Sequence, residues 1–351
     1  MHRFATFHPM KLPLLAPAAL SFAMLTAAPA PITSSSAPYP KDTKATIERL
    51  DPALDALLDS GATIENLGSG FNWSEGPIWV PALNALLFSD VPENRVYRWK
   101  DGEGISVHLE PSGFTGTQYN GRERGSNGLT LDAQGRLTLC QHGDRRVARL
   151  AADGKGFETV VDKFEGGRFN SPNDLCFDKS GNLFFTDPPY GMPSDVKQEI
   201  PFQGVFRLGA DGKLTVIARD MHRPNGLALS PDEKTLYVAS SEGKEPWIKA
   251  YALNADGSVA SSHIFFDGSA LLKQGRRGAF DGLKVDVHGN LWTTGPGGVL
   301  IISPEGKHLG SILTGRATAN CAFGDADHQT FYMTADEALL RVRTKTKGAA
   351  R

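Results

Sequence analysis

The chain has only three cysteines in 351 residues, Cys140, Cys176 and Cys321, and no two of them form a CxxC pair. An odd count at such spacing argues against a disulfide framework and against a structural zinc site. The three read as buried small apolar residues, with one disulfide between two of them left open. Beyond the first thirty residues, no apolar run is long enough to cross a bilayer as a helix. Neither sign of charge is in excess. The 37 basic and 39 acidic residues are interspersed and leave a net charge of −2. That balance points away from nucleic acid and from anionic membranes as partners. No G-x-S-x-G elbow occurs, so an activated serine on a strand–turn–helix corner is not expected. No coiled coil or long apolar exposed strand is visible, and the oligomeric state stays open.

What the chain does have is a repeat. Phe169 to Tyr190 reads FNSPNDLCFDKSGNLFFTDPPY. A polar pair opens a short apolar run, a Gly-containing turn follows, and a second apolar run ends in Thr186-Asp187. That punctuation predicts a β-hairpin. Five more copies open at Glu75, Asn127, Asn225, Asp281 and Asn320, so openers recur every 39 to 56 residues. A period of that length with several strands per unit is the signature of a β-propeller. Further strands are predicted at Arg146–Leu150, Phe157–Val161, Gly204–Leu208, Leu214–Ala218, Val299–Ile302 and His308–Leu313. The expected fold is all-β: a six-bladed β-propeller of four-stranded antiparallel blades. The last repeat lacks a fourth strand. Thr63–Gly68, which belongs to no repeat, is predicted to supply it and close the ring, leaving no long free edge.

Around this core the domain organisation is simple. Residues 1–30 start with His2, Arg3 and Lys11 and continue through the apolar, small-residue-rich Leu12–Ala28 to Ala28-Pro29-Ala30. They read as a secretory signal peptide, which predicts a periplasmic or secreted protein. Residues 31–61 read as a linker followed by a short helical segment, with helical apolar spacing over Ile47–Leu58. Residues 62–345 form the propeller.

First strands of propeller blades line the central channel. The six openers, Glu75, Asn127, Asn173, Asn225, Asp281 and Asn320, therefore form a ring of two carboxylates and four amides. Such oxygen donors suit a hard divalent cation, and the two carboxylates balance its charge. Asn and Asp are also common turn residues, but a turn requirement does not explain Glu75 in the same phase.

SEGPIW, NSPNDL, FTDPPYG, PNGLALSPDEKTLYV and FDGLKVDVHGNLW resemble the SMP-30/gluconolactonase family, the bacterial gluconolactonase branch in particular, over roughly residues 65–340. The resemblance implies a six-bladed propeller with one divalent metal in its channel, acting on sugar lactones. It implies metal ligands at Glu75, Asn173, Asn225 and Asp281, with Asp281 also the catalytic acid/base and Asn173 near metal and substrate. Calcium is the first expectation for the ion, with zinc, manganese and magnesium open. In the mechanism expected for a lactone, the metal polarises the carbonyl and activates water while Asp281 moves the proton. Asn127 and Asn173 are expected to hydrogen-bond the substrate or its developing oxyanion. His142, Tyr190 and Arg168 are further candidate substrate contacts. Arg168 is included because the animal members carry an arginine where this chain has Ser171. The expected partner is a small-molecule lactone. Other ester or phosphotriester hydrolysis on the same scaffold, or a metal-stabilised propeller that only binds, remain alternative readings.

Overall fold

Each repeat folds as an antiparallel meander whose first strand lies innermost. The structure, a computed structural model, describes residues 45–349. Blade one runs Ser74–Val80, Ala85–Asp90, Arg95–Lys100 and Gly104–Leu109. Blade two runs Ser126–Leu131, Leu137–Gln141, Arg146–Leu150 and Phe157–Val161. Blade three is Leu175–Phe177, Leu183–Asp187, Gly204–Leu208 and Leu214–Ala218. Blade four is Pro224–Leu229, Thr235–Ser240, Trp247–Leu253 and Val259–Asp267. Blade five is Leu283–Val285, Leu291–Gly295, Gly298–Ile302 and His308–Leu313. Blade six takes Asn320–Gly324, Thr330–Ala335 and Ala338–Arg343 from the end of the chain.

Its fourth strand is Ile64–Ser69, paired antiparallel with Ala338–Arg343 from Ile64↔Val342 to Ser69↔Ala338. The ring closes as the repeat count requires. Across the seam, Trp79 of blade one stacks on Tyr332 of blade six, with ring centroids 6.1 Å apart at 14°.

The turn between the two inner strands explains the repeat's punctuation. In blade three, Asp178 Oδ1 accepts the Asn182 N–H at 2.8 Å, and the Gly181 N–H donates to the Asp178 carbonyl at 3.1 Å. Gly181 sits at φ +83°, where a Cβ is strained. Asp286 does the same in blade five, accepting from His288 N and Asn290 N at 2.9 Å each.

Apolar residues fill the spaces between blades rather than one central core. Phe169, Phe185 and Phe206 make an edge-to-face and stacked cluster in blade three. Trp292, Phe323 and Phe331 fill the junction of blades five and six. Cys140, Cys176 and Cys321 are buried small side chains, and no disulfide joins any two of them. The polar channel is thereby left to the openers.

The signal-peptide reading and the linker up to residue 44 lie outside the described residues. Residues 47–58 are not one helix. Thr46–Arg49 is a fifth strand on blade five, pairing with His308–Leu313. That outer strand otherwise offers an unpaired row of backbone donors and acceptors, and pairing outweighs the helical apolar spacing. Asp51 then accepts the Ala53 N–H at 2.8 Å and caps a 3-10 helix over Pro52–Ala56. Leu54, Leu57 and Leu58 are buried against Trp292, Ile301 and Phe331, so this stretch is part of the fold.

Candidate active site

In the first five blades the opener points inward because the ladder breaks beside it. Pairing jumps from Glu75 to Ile78 in blade one, from Ser126 to Leu129 in blade two, and from Pro224 to Leu227 in blade four. In blades three and five, ladder pairing starts only at Leu175 and Leu283, two residues after the opener. A break of this kind re-aims a side chain out of the alternating pleat.

The glycine after the opener serves the neighbouring blade. A Cβ on Gly76 would lie 2.0 Å from the Asn127 carbonyl oxygen, and one on Gly128 would lie 2.8 Å from that of Asn173. One on Gly226 would lie 2.2 Å from that of Asp281, and one on Gly282 would lie 2.0 Å from Asn320 Oδ1. Gly128 N and Gly226 N donate to the Asn173 and Asp281 carbonyls at 2.8 and 3.1 Å. Hydroxyls add a second tie: Ser89 Oγ and Thr186 Oγ1 donate to the Asn127 and Asn225 carbonyls, both at 2.8 Å. In four of the six blades, the glycine after the opener is thus the contact by which one blade sets the next blade's opener.

Five of the six openers converge on one cavity of about 310 Å³, lined by Glu75, Asn127, Asn173, Asn225 and Asp281 together with Tyr190, Glu123, Trp73, Ser241 and Thr318. Oδ1 atoms of Asn127, Asn173, Asn225 and Asp281 are buried and have no internal hydrogen-bond partner. Asn225 is oriented by its amide nitrogen, which donates to Ser241 Oγ at 2.8 Å. Glu75 is 1% exposed, and its Oε2 accepts the Gly76 N–H at 3.0 Å. Four buried oxygens without partners, beside a buried carboxylate, are costly unless a donor or cation meets them.

The charges agree with that demand. Burial pushes the Glu75 carboxyl up to about 8, with the Asp174 carboxylate adding to the rise. Burial first and Glu75 second hold Asp281 well above the usual carboxylate range. Asp174 is raised by burial as well, with Lys284 opposing. The cavity lining contains no Lys, Arg or His. A bound cation would therefore relieve the crowding of acids around Glu75 and Asp281.

The remaining predicted residues are placed differently. Asn320 lies deeper, with Oδ1 accepting Cys321 N at 2.8 Å and Nδ2 facing Asp174 Oδ2 at 3.4 Å, and it does not line the cavity. Tyr190 forms the wall, its turn pinned where Ser171 Oγ donates to the Pro188 carbonyl and accepts Gly191 N. His142 is fully buried behind that turn: a Cβ on Gly191 would lie 2.3 Å from the His142 Cβ. The Arg168 guanidinium donates to the Asp144 carbonyl at 2.7 Å and is not among the cavity's lining residues. Asp90 and Asp187 each receive two backbone N–H groups from the loop before their own blade, from Asn72 and Trp73 and from Asn170 and Ser171. The contributor least visible in the sequence is Glu123. It sits between the two arginines of the loop 112–126, and both arginines are exposed while the glutamate faces the cavity.

The model of the SMP-30/Gluconolactonase/LRE-like region matches residues 73–337. The chain belongs to this family. A gluconolactonase of Zymomonas mobilis is 42% identical over 317 residues, covering 86% of this chain and 87% of the relative. The solved structure of a gluconolactonase from Xanthomonas campestris superposes with a TM-score of 0.78 at 32% identity, covering 91% of this chain and 99% of that one. A calcium-binding regucalcin from Agrobacterium tumefaciens shares the fold at a TM-score of 0.62 and 20% identity, over 79% and 92% of the two chains. With this family's fold and a polar channel site, the protein is a lactonase, a hydrolase of sugar lactones.

Proposed function

We propose that this lactonase opens an aldonolactone of the glucono type to the aldonic acid, and that its site holds one divalent cation. The observation that carries the metal is the set of unpartnered buried oxygens on Asn127, Asn173, Asn225 and Asp281 beside Glu75. Glu75, Asn173, Asn225 and Asp281 are the ligands. Their all-oxygen chemistry favours a hard ion, calcium first, over zinc or copper. Such an ion, when bound, supplies Lewis-acid polarisation of the lactone carbonyl and a more acidic water.

The chain's own groups do the rest. Asn127 and Asn173 orient the lactone and donate amide hydrogens to its carbonyl oxygen as negative charge develops there. Water oxygen bonds to the carbonyl carbon, and Asp281 accepts the proton that water loses. The bond from that carbon to the ring oxygen then breaks, and Asp281 returns the proton to the departing alkoxide. Tyr190 and Trp73 wall the cavity and limit the water that reaches it. The first thirty residues support export of the enzyme to the periplasm or beyond, which N-terminal sequencing of the mature protein tests.

Calorimetric titration with calcium tests the ligand set. Asn225→Ala and Asn173→Ala are expected to weaken calcium binding while leaving the circular dichroism spectrum unchanged. Unchanged affinity in both variants would contradict the assignment.

A further inference from the structure

We propose that Glu123 reads the hydroxyl groups of the substrate, and that the buried imidazole of His142 holds the Glu123 carboxylate in place for that purpose. The inference rests on the lactonase reading and names the class of lactone the site selects.

Glu123 lines the cavity and keeps 30% side-chain exposure, so packing alone does not explain it. Its backbone is tied down on both sides. The Tyr119 hydroxyl lies 2.9 Å from the Glu123 carbonyl oxygen and 2.6 Å from that of Gly191, bridging the two loops at the cavity rim. Gly143 N donates to the Arg124 carbonyl at 3.3 Å, and His142 N donates to that of Gly125 at 3.1 Å. At the start of the same loop, Asn94 Oδ1 accepts N–H groups from Ser112, Gly113 and Phe114. Behind the carboxylate stands His142. Its ring is fully buried, neither ring nitrogen has a hydrogen-bond partner of good geometry, and Nδ1 lies 3.4 Å from Glu123 Oε2. A buried ring nitrogen directed at one carboxylate limits where that carboxylate can turn.

A carboxylate only accepts, and the ring hydroxyls of a sugar lactone donate. Glu75 and Asp281 balance a divalent cation, which leaves Glu123 as a further acid in a cavity whose lining holds no Lys, Arg or His. A phosphate or a second carboxylate on the ligand then meets repulsion and no counter-ion. The selected class is a neutral, polyhydroxylated lactone, and phosphorylated sugar lactones are rejected. Because the product is an anion, the same charge hastens its departure.

The test uses the calcium-loaded enzyme with glucono-δ-lactone and with its 6-phosphorylated counterpart. Glu123→Ala is expected to raise KM for the neutral lactone about 10- to 100-fold with kcat within about threefold. Glu123→Gln keeps an acceptor, so it loses less and narrows the preference against the phosphorylated substrate. His142→Phe raises KM in the same direction, and the double variant with Glu123→Ala is no worse than Glu123→Ala alone. A fall in kcat at constant KM in Glu123→Ala, kinetics unchanged from wild type, or additive effects in the double variant overturns the proposal. Wild type without turnover of either lactone overturns the underlying lactonase reading, and this proposal with it.

Discussion

Gly226 and Asp281 share one point in space. The Gly226 N–H donates to the Asp281 carbonyl at 3.1 Å, and a Cβ on Gly226 would stand 2.2 Å from that same oxygen. Blade four can therefore approach blade five only through a residue without a side chain, and the approach fixes where the Asp281 carboxylate stands. Gly226→Ala must push blade four away from blade five. It is expected to destabilise by about 1–3 kcal/mol and to cut kcat about 100-fold, since small misplacements of catalytic groups are costly. Gly243, with nothing within 4 Å of its Cβ position, is the control, and Gly243→Ala should leave both quantities nearly unchanged.

Asp281 is assigned both a metal-binding and a proton-carrying role, so one substitution should remove both. Asp281→Asn keeps the shape and loses the charge and the basicity. Turnover is expected to fall on the order of 10²- to 10⁴-fold, with calcium affinity falling in the same variant. Full activity in Asp281→Asn would contradict the base assignment.

Asp187 gives a pH dependence away from the metal ligands. Burial lifts its carboxyl to about 8, against the pull of the Asn170 and Ser171 N–H groups it accepts. Between the ordinary aspartate range and about 8, the folded state keeps a proton that the unfolded state has released. Its contribution to stability is therefore fully present below about pH 4 and is lost as pH rises towards about 8. Asp187→Asn cannot lose that proton. Melting temperatures from pH 5 to 9 should fall less steeply with pH in Asp187→Asn than in wild type, and parallel curves would contradict this.

Leu58 tests whether the stretch before the first blade belongs to the fold. It is fully buried with Leu54 against Trp292 and Phe331. Leu58→Ala is expected to cost about 2–5 kcal/mol, seen as a lower midpoint in urea, while kcat at 25 °C stays at the wild-type level. A loss below about 0.5 kcal/mol would mean that the segment is a tether only.

The ring and its openers were legible because the repeat forces them into one phase. Glu75, a poor turn former standing where Asn and Asp stand elsewhere, marked the phase as chemistry rather than turn. Ring closure by Ile64–Ser69 followed from counting strands. Less was visible where a residue's role depends on a neighbour far along the chain. Thr46–Arg49 is a strand because the edge of His308–Leu313 stands open to it, and no local pattern reports that edge. Asn320 shares the openers' phase yet sits deeper, because Cys321 N and Asp174 engage its amide. Glu123 stands between two exposed arginines, Arg122 and Arg124, in a loop outside the repeat, and no local pattern reports that the loop's folding turns the glutamate inward. Arg168 lay near Ser171 in sequence, but its guanidinium is held by the Asp144 carbonyl.

The central claim is that four opener oxygens and Glu75 serve a cation that the lactonase needs. It is tested most directly by following acid release from glucono-δ-lactone before chelation, after complete chelation, and after adding back calcium, zinc, manganese or magnesium singly. Activity is expected to disappear with the metal and to return with a hard divalent ion, calcium foremost. Undiminished hydrolysis by protein shown to be free of metal would contradict it.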